Sequence, residues 1–351
     1  MIILGIETSC DETAAAVVTN NDKRITILSN VVASSASLQA KYGGVIPEQA
    51  AREQIKSIIP VIETALNEAR LTNNDLDAVA VTYGPGLIGS LLVGVETAKT
   101  LATIWNKPLV PVNHLLGHFY ANWLGETPTF PCLGLLISGG HTDLVLFKDH
   151  GKYEYLGGTR DDAAGECFDK CARLLNLPYP GGPEISKLAA EGDAFKINLP
   201  RPMIDSKDFD FSFSGLKTAV ANIVRSFEFV VQSKQSLRSN DLKNSKNYQL
   251  ITKNLAASIE AAIVDVLVTK TIKAAQKYKV KQIMVAGGVA ANQKLTSELK
   301  LKIKNLKLEI NLHIPPPALC TDNAAMIATT AFFNYQPINP LILQADPNLS
   351  L

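Results

Sequence analysis

The sequence has no long apolar run and no apolar N-terminus. No stretch approaches 18 uninterrupted apolar residues, which argues against a membrane-spanning helix. Glu7, Asp11 and Glu12 stand where a secretory signal would be apolar. We therefore expect a cytoplasmic protein that has no association with a membrane.

Cysteine is scarce, and its distribution is informative. The five cysteines are odd in number and scattered, and no two of them form a C-x-x-C motif. This usage indicates reduced thiols in a reducing compartment. Cys167 and Cys171 are four residues apart on a predicted helix, where packing is the favoured explanation.

Charge of one sign is not in excess. The net charge is +1, so any role in nucleic-acid binding depends on a local basic patch. One modest basic run includes Lys294, Lys300, Lys302, Lys304 and Lys307. Residues 226–250 hold further cations and are predicted to form an exposed insertion, for which a solvated loop is the default interpretation. The length of 351 residues, with 46% hydrophobic residues, is comfortable for two cores.

Histidine is rare, yet two of the five histidines are four residues apart. Positions i and i+4 of a helix project from one face, so His114 and His118 can point at one position. Two imidazoles at this spacing are a common half of a transition-metal site. Asn113 is a good N-cap for the helix that would carry them. An amphipathic helix decorated with two histidines is the structural alternative, but the scarcity of histidine favours a metal.

Two stretches of the chain repeat. Leu4-Gly5-Ile6 matches Leu133-Gly134-Leu135, Ser9 matches Ser138, and Thr13 matches Thr142, all at an offset of 129. Each copy is predicted to be strand, turn, strand. The repeat indicates two similar α/β lobes with a ligand cleft between them.

The remaining elements follow from periodicity and turn residues. The pattern predicts a strand at Val31–Gln39 and helical structure at Glu48–Arg70, with Pro60 dividing it or beginning a second helix. A buried strand, Val280–Ala286, is followed by a glycine turn, which is where an open α/β sheet binds ligands. Asp322 begins the next helix, where a carboxylate is often only an N-cap. It is also the best placed carboxylate to complete the histidine pair.

Several motifs occur together over nearly the whole chain, in a preserved order. They are Gly5-Ile6-Glu7-Thr8-Ser9-Cys10-Asp11-Glu12-Thr13, the His114/His118 pair, Ser138-Gly139-Gly140-His141-Thr142, Asp162-Ala163-Ala164-Gly165-Glu166, Phe168-Asp169-Lys170, Tyr179-Pro180-Gly181-Gly182-Pro183, Phe211-Ser212-Phe213-Ser214-Gly215-Leu216-Lys217, Gly287-Gly288-Val289-Ala290-Ala291-Asn292 and Thr321-Asp322-Asn323. Together they closely resemble the bacterial-type tRNA threonylcarbamoyladenosine transferase family, TsaD.

The resemblance implies a fold and a reaction. The fold would be the two-lobe α/β ATPase fold of actin, Hsp70 and sugar kinases, with two duplicated RNase H-like lobes. Residues 1–130, closed by 325–351, would form the N-terminal lobe, and 131–324 the C-terminal lobe. The reaction would transfer a threonylcarbamoyl group from threonylcarbamoyl-AMP to the exocyclic amine of the adenosine 3′ of the anticodon, in tRNAs that read codons beginning with A, and would release AMP.

The resemblance also implies site residues. His114, His118 and Asp322 would hold one divalent metal, iron(II) first and zinc(II) second. The acyl-adenylate would be bound by Ile137, Ser138, Gly139, Gly140, His141, Asp169, Gly182 and Asn292. An amine nucleophile loses a proton during acyl transfer, so a carboxylate base is expected. Asp11 is the first candidate and Glu12 the second, with a capped turn as the alternative role for Glu12.

Two positions depart from the family pattern. Many members have aspartate where this chain has Ser186, which puts a second ribose contact in doubt. Archaeal members have a tyrosine metal ligand where this chain has Leu136. From the family we further expect tRNA as substrate, a TsaB-like degenerate paralogue and a TsaE-like small P-loop ATPase as partners.

Three other functions compete with this one. A zinc metalloprotease needs H-E-x-x-H, but Leu115, Leu116 and Gly117 stand between the histidines. A metal-dependent kinase or ATPase of the same fold would not need a histidine pair. A degenerate scaffold subunit would be expected to lose metal ligands, yet all three candidates are present.

Overall fold

In the computed structural model the chain builds two mixed β-sheets, each flanked by helices. The structure describes residues 1–21, 24–40, 44–126, 128–233 and 246–351. Within these residues, no helix combines the length and apolar character needed to cross a membrane.

The first sheet is made by the first third of the chain. Its elements in chain order are β1 (Ile2–Glu7), β2 (Glu12–Asn21), β3 (Arg24–Ser34), α1 (Ala36–Ala40), α2 (Pro47–Ala69), a 3-10 helix (Asn73–Asp75), β4 (Ala78–Gly84), α3 (Ile88–Ile104), β5 (Leu109–Asn113), α4 (His114–Tyr120) and a 3-10 helix (Ala121–Trp123). The strand order is β3-β2-β1-β4-β5. The first three strands are antiparallel, and β4 and β5 run parallel to β1.

The second sheet follows from Cys132. Its elements are β6 (Cys132–Ile137), β7 (Thr142–Asp149), β8 (Lys152–Gly158), α5 (Ala164–Leu174), α6 (Gly181–Ala189), α7 (Ser214–Ser233), α8 (Lys246–Tyr278), β9 (Gln282–Ala286), a 3-10 helix (Gly288–Ala291), α9 (Gln293–Asn305), β10 (Asn311–His313), α10 (Pro317–Cys320), α11 (Ala324–Phe333) and a 3-10 helix (Pro340–Ile342). The strand order is β8-β7-β6-β9-β10, with β6, β7 and β8 antiparallel and β9 and β10 parallel to β6.

The two sheets repeat one another in strand order and strand direction. The register repeats as well: Leu4 pairs with Val17 and Leu133 pairs with Leu146, again at an offset of 129. The duplicated two-lobe α/β fold predicted from the sequence is therefore confirmed.

The last long helix, α11, returns to the first sheet. Its small residues Ala324 and Ala328 are buried in one core cluster with Ile3 and Ala16. A Cβ on Gly5 would lie 2.9 Å from the backbone nitrogen of Ala328, so the helix can approach this closely only over glycine. We propose on this basis that 325–351 complete the lobe formed by 1–130, with 131–324 as the other lobe.

Three local predictions need correction. The strand expected over Val31–Gln39 ends at Ser34, because the Ser35 carbonyl accepts from the amides of Leu38 and Gln39 and starts α1. Pro60 does not divide α2, whose buried side packs continuously on the sheet. Residues 226–250 were expected to be a loop, but α7 extends to Ser233 and α8 begins at Lys246. Residues 234–245 lie outside the described residues.

Candidate metal centre and the surrounding cleft

The histidine pair sits at the junction of β5 and α4. The Asn113 side chain caps this helix, since its Oδ1 accepts from the amides of Leu115 at 2.8 Å and Leu116 at 3.3 Å. The predicted N-cap is therefore confirmed. The rings of His114 and His118 lie edge to face, with centroids 4.7 Å apart, and both side chains are buried.

Asp322 completes the pair from the other end of the sequence. Its Oδ1 lies 3.2 Å from His118 Nε2 and 3.7 Å from His114 Nε2. The alternative role as a helix cap is wrong, because Asn323 caps α11 by accepting from the Met326 amide at 3.1 Å. Capping by the next residue leaves the Asp322 carboxylate directed at the imidazoles.

These three side chains fit one divalent cation. One ligand atom from each lies within 4.8 Å of the other two. Two imidazole nitrogens and one carboxylate oxygen are donors that suit zinc(II) or iron(II), and three ligands leave positions open for a substrate. His118 Nδ1 is also buried without a hydrogen-bond partner among the described residues. The arrangement is therefore consistent with a divalent-metal site.

The buried carboxylate of Glu7 supports His114 on the other side of its ring. Its Oε2 lies 3.2 Å from His114 Nδ1 and accepts from the Thr82 hydroxyl, and its Oε1 accepts from the Ser9 amide at 2.6 Å. The His114 Nδ1 also lies 3.2 Å from the Ser9 hydroxyl. The sequence places Glu7 in the opening motif but does not indicate a role for it at the metal site. The missed signal was a charged residue at the end of an otherwise apolar buried strand.

The carboxylates around the histidine pair favour a positive charge at this site, as the pKa shifts of its residues indicate. Burial would raise the pKa of Asp322, but His114 and a hydrogen bond from His118 outweigh it and lower that pKa to about 2. Burial would lower the pKa of His114, but Glu7 and Asp322 raise it to about 9. Burial lowers the pKa of His118. A cation that binds the imidazoles must displace the proton on His114, so its affinity is coupled to proton release.

The turn with the candidate base lies beside this cluster and is held by Gln54. The Gln54 side-chain amide donates to the backbone carbonyls of Cys10 at 3.1 Å and Glu12 at 2.8 Å, and Ser90 donates to the Cys10 carbonyl at 2.8 Å. Gln54 is buried in α2 and escaped sequence reasoning, because a glutamine on a helix gives no signal of such a role.

The two candidate bases differ in their surroundings. Asp11 lines a cavity of about 430 Å³ that also contains hydroxyl groups such as those of Thr13 and Ser35. Burial, with the charges of Asp322 and Asp11, raises the pKa of Glu12 to about 9. The ionised form of Glu12 is therefore disfavoured in this arrangement.

The turn after β6 holds five of the residues expected to bind substrate, Ile137 to His141. The Ser138 hydroxyl accepts from the amides of Gly140 at 3.4 Å and His141 at 3.1 Å. A Cβ on Gly139 or Gly140 would meet open space, so their backbone faces room for a ligand.

The same turn is enclosed from behind by two other glycines. A Cβ on Gly165 would clash with the Ser138 carbonyl, and one on Gly287 would clash with that of Ile137. Gly287 also has φ +87°, which favours glycine. These two positions, more than Gly139 and Gly140, require glycine in the folded chain.

The other expected substrate contacts fall into two groups. Asp169 accepts from the Gly181 amide at 2.7 Å and from that of Gly182, so the structure brings Asp169 and Gly182 together. Asn292 is already engaged. Its Oδ1 caps α9, and its Nδ2 donates to Glu260 Oε1 at 2.8 Å and to the Ser186 hydroxyl at 3.0 Å.

Residues from both sheets face one gap. Burial raises the pKa of Tyr179 to about 12, and the charges of Asp169 and Asp11 add to this effect. Asp169 follows the second sheet and Asp11 belongs to the first, so both carboxylates lie near the Tyr179 ring. The charge of His141 likewise lowers the pKa of Asp322, after the larger effects of burial and the histidine pair. Charged groups of the two sheets therefore lie near one another at this end of both sheets.

Comparison with known proteins identifies the family of this chain. The family model of TsaD, tRNA N6-adenosine threonylcarbamoyltransferase, matches residues 26–329. A protein of that name from Geobacillus kaustophilus is 50% identical over 351 residues, covering 99% of this chain and 96% of its own. One from Bacillus cereus is 49% identical over 352 residues, covering 100% and 96%.

A solved structure shares the fold. The crystal structure of HypF from T. kodakarensis superposes with a TM-score of 0.58 at 15% identity, covering 95% of this chain and 47% of that chain. This likeness concerns the fold alone. The sequence matches, which span nearly the whole chain, carry the assignment: the chain belongs to the TsaD family of tRNA N6-adenosine threonylcarbamoyltransferases.

Proposed function

We propose that this chain transfers the threonylcarbamoyl group of threonylcarbamoyl-AMP to the N6 amine of the adenosine 3′ of the anticodon, in tRNAs that read codons beginning with A. The observation that carries the proposal is the convergence of His114, His118 and Asp322 on one position in the cleft. AMP is the leaving group. The compartment is the cytoplasm, where the substrate tRNA would be found.

The metal proposed for the triad is iron(II), with zinc(II) as the alternative. When bound, it supplies Lewis acidity toward the carbamoyl carbonyl. Glu7 fixes the ring of His114 by holding its Nδ1, so that Nε2 faces the site. Asp322 adds a negative charge that both imidazoles share.

Asp11 is the proposed base. It lies on the turn that Gln54 fastens to α2, beside a cavity with several hydroxyl groups. Its carboxylate would take the proton that the adenosine amine loses as the new N–C bond forms. Glu12, the adjacent carboxylate on the same turn, is the second candidate base, and its burial disfavours the ionised form.

The turn of Ile137, Ser138, Gly139, Gly140 and His141 is proposed to hold the acyl-adenylate. Its exposed glycines leave room for a phosphate to reach backbone amides. Asp169 is suited to ribose hydroxyls, and Gly182 stands next to it. Asn292 would act indirectly, because its three hydrogen bonds hold the start of α9 in place.

The proposed partner subunit is a TsaB-like degenerate paralogue, with a TsaE-like P-loop ATPase as a further component. An apolar face on α2 and α3 supports the first of these. On α2, Ile55 is 65% exposed, and Ile59, four residues later, is also exposed. On α3, Ile88 and Leu92 are likewise four residues apart and exposed. Gly89 of α3 lies against Ala51 of α2, so the two rows are side by side. Helices with such a face commonly pack against a partner's helices.

A protease is not favoured by this geometry. Glu7, the carboxylate that contacts His114 from the same sheet, is fully buried and engaged by His114, Thr82 and Ser9. A group held in this way cannot activate a water molecule, as the glutamate of H-E-x-x-H does.

The test is a reconstituted reaction. The purified chain receives threonylcarbamoyl-AMP, unmodified tRNA and its proposed partners, and the product nucleoside is measured by mass spectrometry. We expect product with wild type, none with His118→Ala, and normal yield with His313→Ala, a matched control in β10. Equal yields from wild type and His118→Ala would refute the role of His118.

A further inference from the structure

A groove between α5 and α7 has four cationic and two polar residues along its lining. It encloses about 380 Å³, and its lining includes Lys170, Arg173, Lys217, Arg225, Thr218 and Asn222. The described lining residues include four cations and no carboxylate. Asp162 and Glu166 pair with the two lysines, so among the described residues four cations stand against two carboxylates. The net positive charge that remains suits an anion.

Two of the cations are held in place by a shared carboxylate. Asp162 Oδ1 lies 2.7 Å from Lys170 Nζ, and its Oδ2 lies 3.0 Å from Lys217 Nζ. Glu166 adds a second contact to Lys170 at 2.8 Å. These ion pairs link the start of α5 to the start of α7 and fix both lysines at the edge of the groove.

The arginines extend the charge along both helices. Lys170 and Arg173 are separated by nearly one turn of α5. Lys217 and Arg225 are eight residues apart on α7, a distance of about 12 Å along the helix axis. The cations thus form two rows instead of one point, which suits a ligand with more than one anionic group.

The groove adjoins the proposed nucleotide site through α5. At the start of this helix, the Gly165 amide donates to the Ser138 carbonyl at 3.2 Å. Lys170 follows five residues later, about 7.5 Å further along the axis. Asp169, between them, contacts the Gly181 amide. A ligand in the groove would therefore be separated from the proposed nucleotide site by no more than the length of α5.

We propose that this groove binds the phosphate backbone of RNA next to the adenosine that is modified. The proposal rests on the proposed function and adds a location for its substrate. RNA fits better than an acidic peptide, because Asn222 can donate to phosphate oxygens, whereas Leu174 and Ala221 are the only apolar residues that line the groove in the described part of the chain.

The test measures binding of an unmodified anticodon-arm RNA by fluorescence anisotropy over a series of salt concentrations, with the full chain and its partners. Arg225→Gln is expected to weaken binding about tenfold at low salt and to lower the slope of log K against log[salt] by about 0.7–0.9. Arg225→Lys should retain the slope. Lys302→Gln, on the basic run of α9, is the matched control and should bind like wild type.

Each outcome has one meaning. A wild-type affinity and slope in Arg225→Gln, or an equal loss in Lys302→Gln, overturns the groove as the binding surface. Binding that depends on Arg225 while wild type forms no modified nucleoside supports the groove and refutes the proposed reaction instead. Thermal unfolding of each variant, expected at the wild-type midpoint because Arg225 is exposed, verifies that the fold is intact.

Discussion

Glu7 Oε2 lies 3.2 Å from Nδ1 of His114, on the side of the ring that faces away from Asp322. Thr82, on the neighbouring strand β4, donates to the same carboxylate oxygen. A carboxylate that holds the second nitrogen of a ligand histidine fixes its tautomer and raises its basicity. This pair connects the first strand of the chain to the proposed metal centre.

Replacement of Glu7 by glutamine should weaken metal binding while leaving the three ligands in place. The amide keeps the shape but loses the charge that supports His114, so we expect about a 10- to 100-fold lower affinity. Metal content after dialysis against a graded chelator series measures this. Glu96→Gln, on the exposed side of α3, is the control. Equal metal retention in Glu7→Gln and wild type would contradict the supporting role.

Asp322 and Asn323 are adjacent but should have separable roles. Asp322→Asn removes a ligand and should abolish metal retention, with α11 still capped. Asn323→Ala removes the cap on α11 and should cost about 0.5–2 kcal/mol of unfolding free energy while a metal is still bound. Metal analysis and urea unfolding of both variants distinguish the two. A capping role for Asp322 would appear as the opposite pattern.

The sequence predicted the duplicated lobes and the histidine pair because both depend on local signals. The repeat at an offset of 129 reappears as paired register, and i,i+4 spacing places two rings on one face. Glu7 and Gln54 were missed because their roles arise from tertiary contacts. Glu7 acts through residue 114, and Gln54 acts on carbonyls more than 40 positions away in the chain. Such long-range contacts leave no periodic pattern in the sequence.

Gln54→Met should impair the reaction without releasing the metal. The variant leaves the Glu12 carbonyl without its side-chain donor and the Cys10 carbonyl with Ser90 alone, which costs about 1–3 kcal/mol and lets the turn with Asp11 shift. We expect kcat to fall about 100-fold, since small misplacements of a catalytic group have effects of this size. Gln276→Met, on the exposed side of α8, is the control. An unchanged kcat, or loss of metal, would argue against a positioning role.

Asp162 should make folding stability depend on pH. Burial alone would raise its pKa, but hydrogen bonds from Lys170 and Lys217 lower it overall. The folded pKa is thus below the unfolded value of about 3.9, so the stabilisation is complete above that value and is lost as pH falls through the folded pKa.

The Asp162→Asn variant tests this dependence. Its unfolding free energy in urea should be about 1 kcal/mol lower than that of wild type near neutral pH, because the lysines are partly exposed. The difference should shrink as the pH is lowered below about 4. Glu68→Gln, on an exposed side of α2, should show no such trend. A gap that stays constant with pH would show that the charge of Asp162 is not the cause.

The apolar face of α2 and α3 should decide association with the paralogous subunit. Ile55→Glu places a charge on the exposed face that Ile55 and Ile59 form with Ile88 and Leu92, and burying an unpaired charge in an interface is costly. We expect the complex to be lost in analytical ultracentrifugation, while the isolated chain unfolds at the wild-type temperature.

The matched control for this face is Ile104→Glu. Ile104 is 72% exposed but lies at the other end of α3, about 18 Å along the axis from Leu92. This variant should associate normally. If both variants associate like wild type, the partner binds elsewhere. If both dissociate, the interface extends along the whole of α3, and its centre is not the row of Ile55, Ile59 and Leu92.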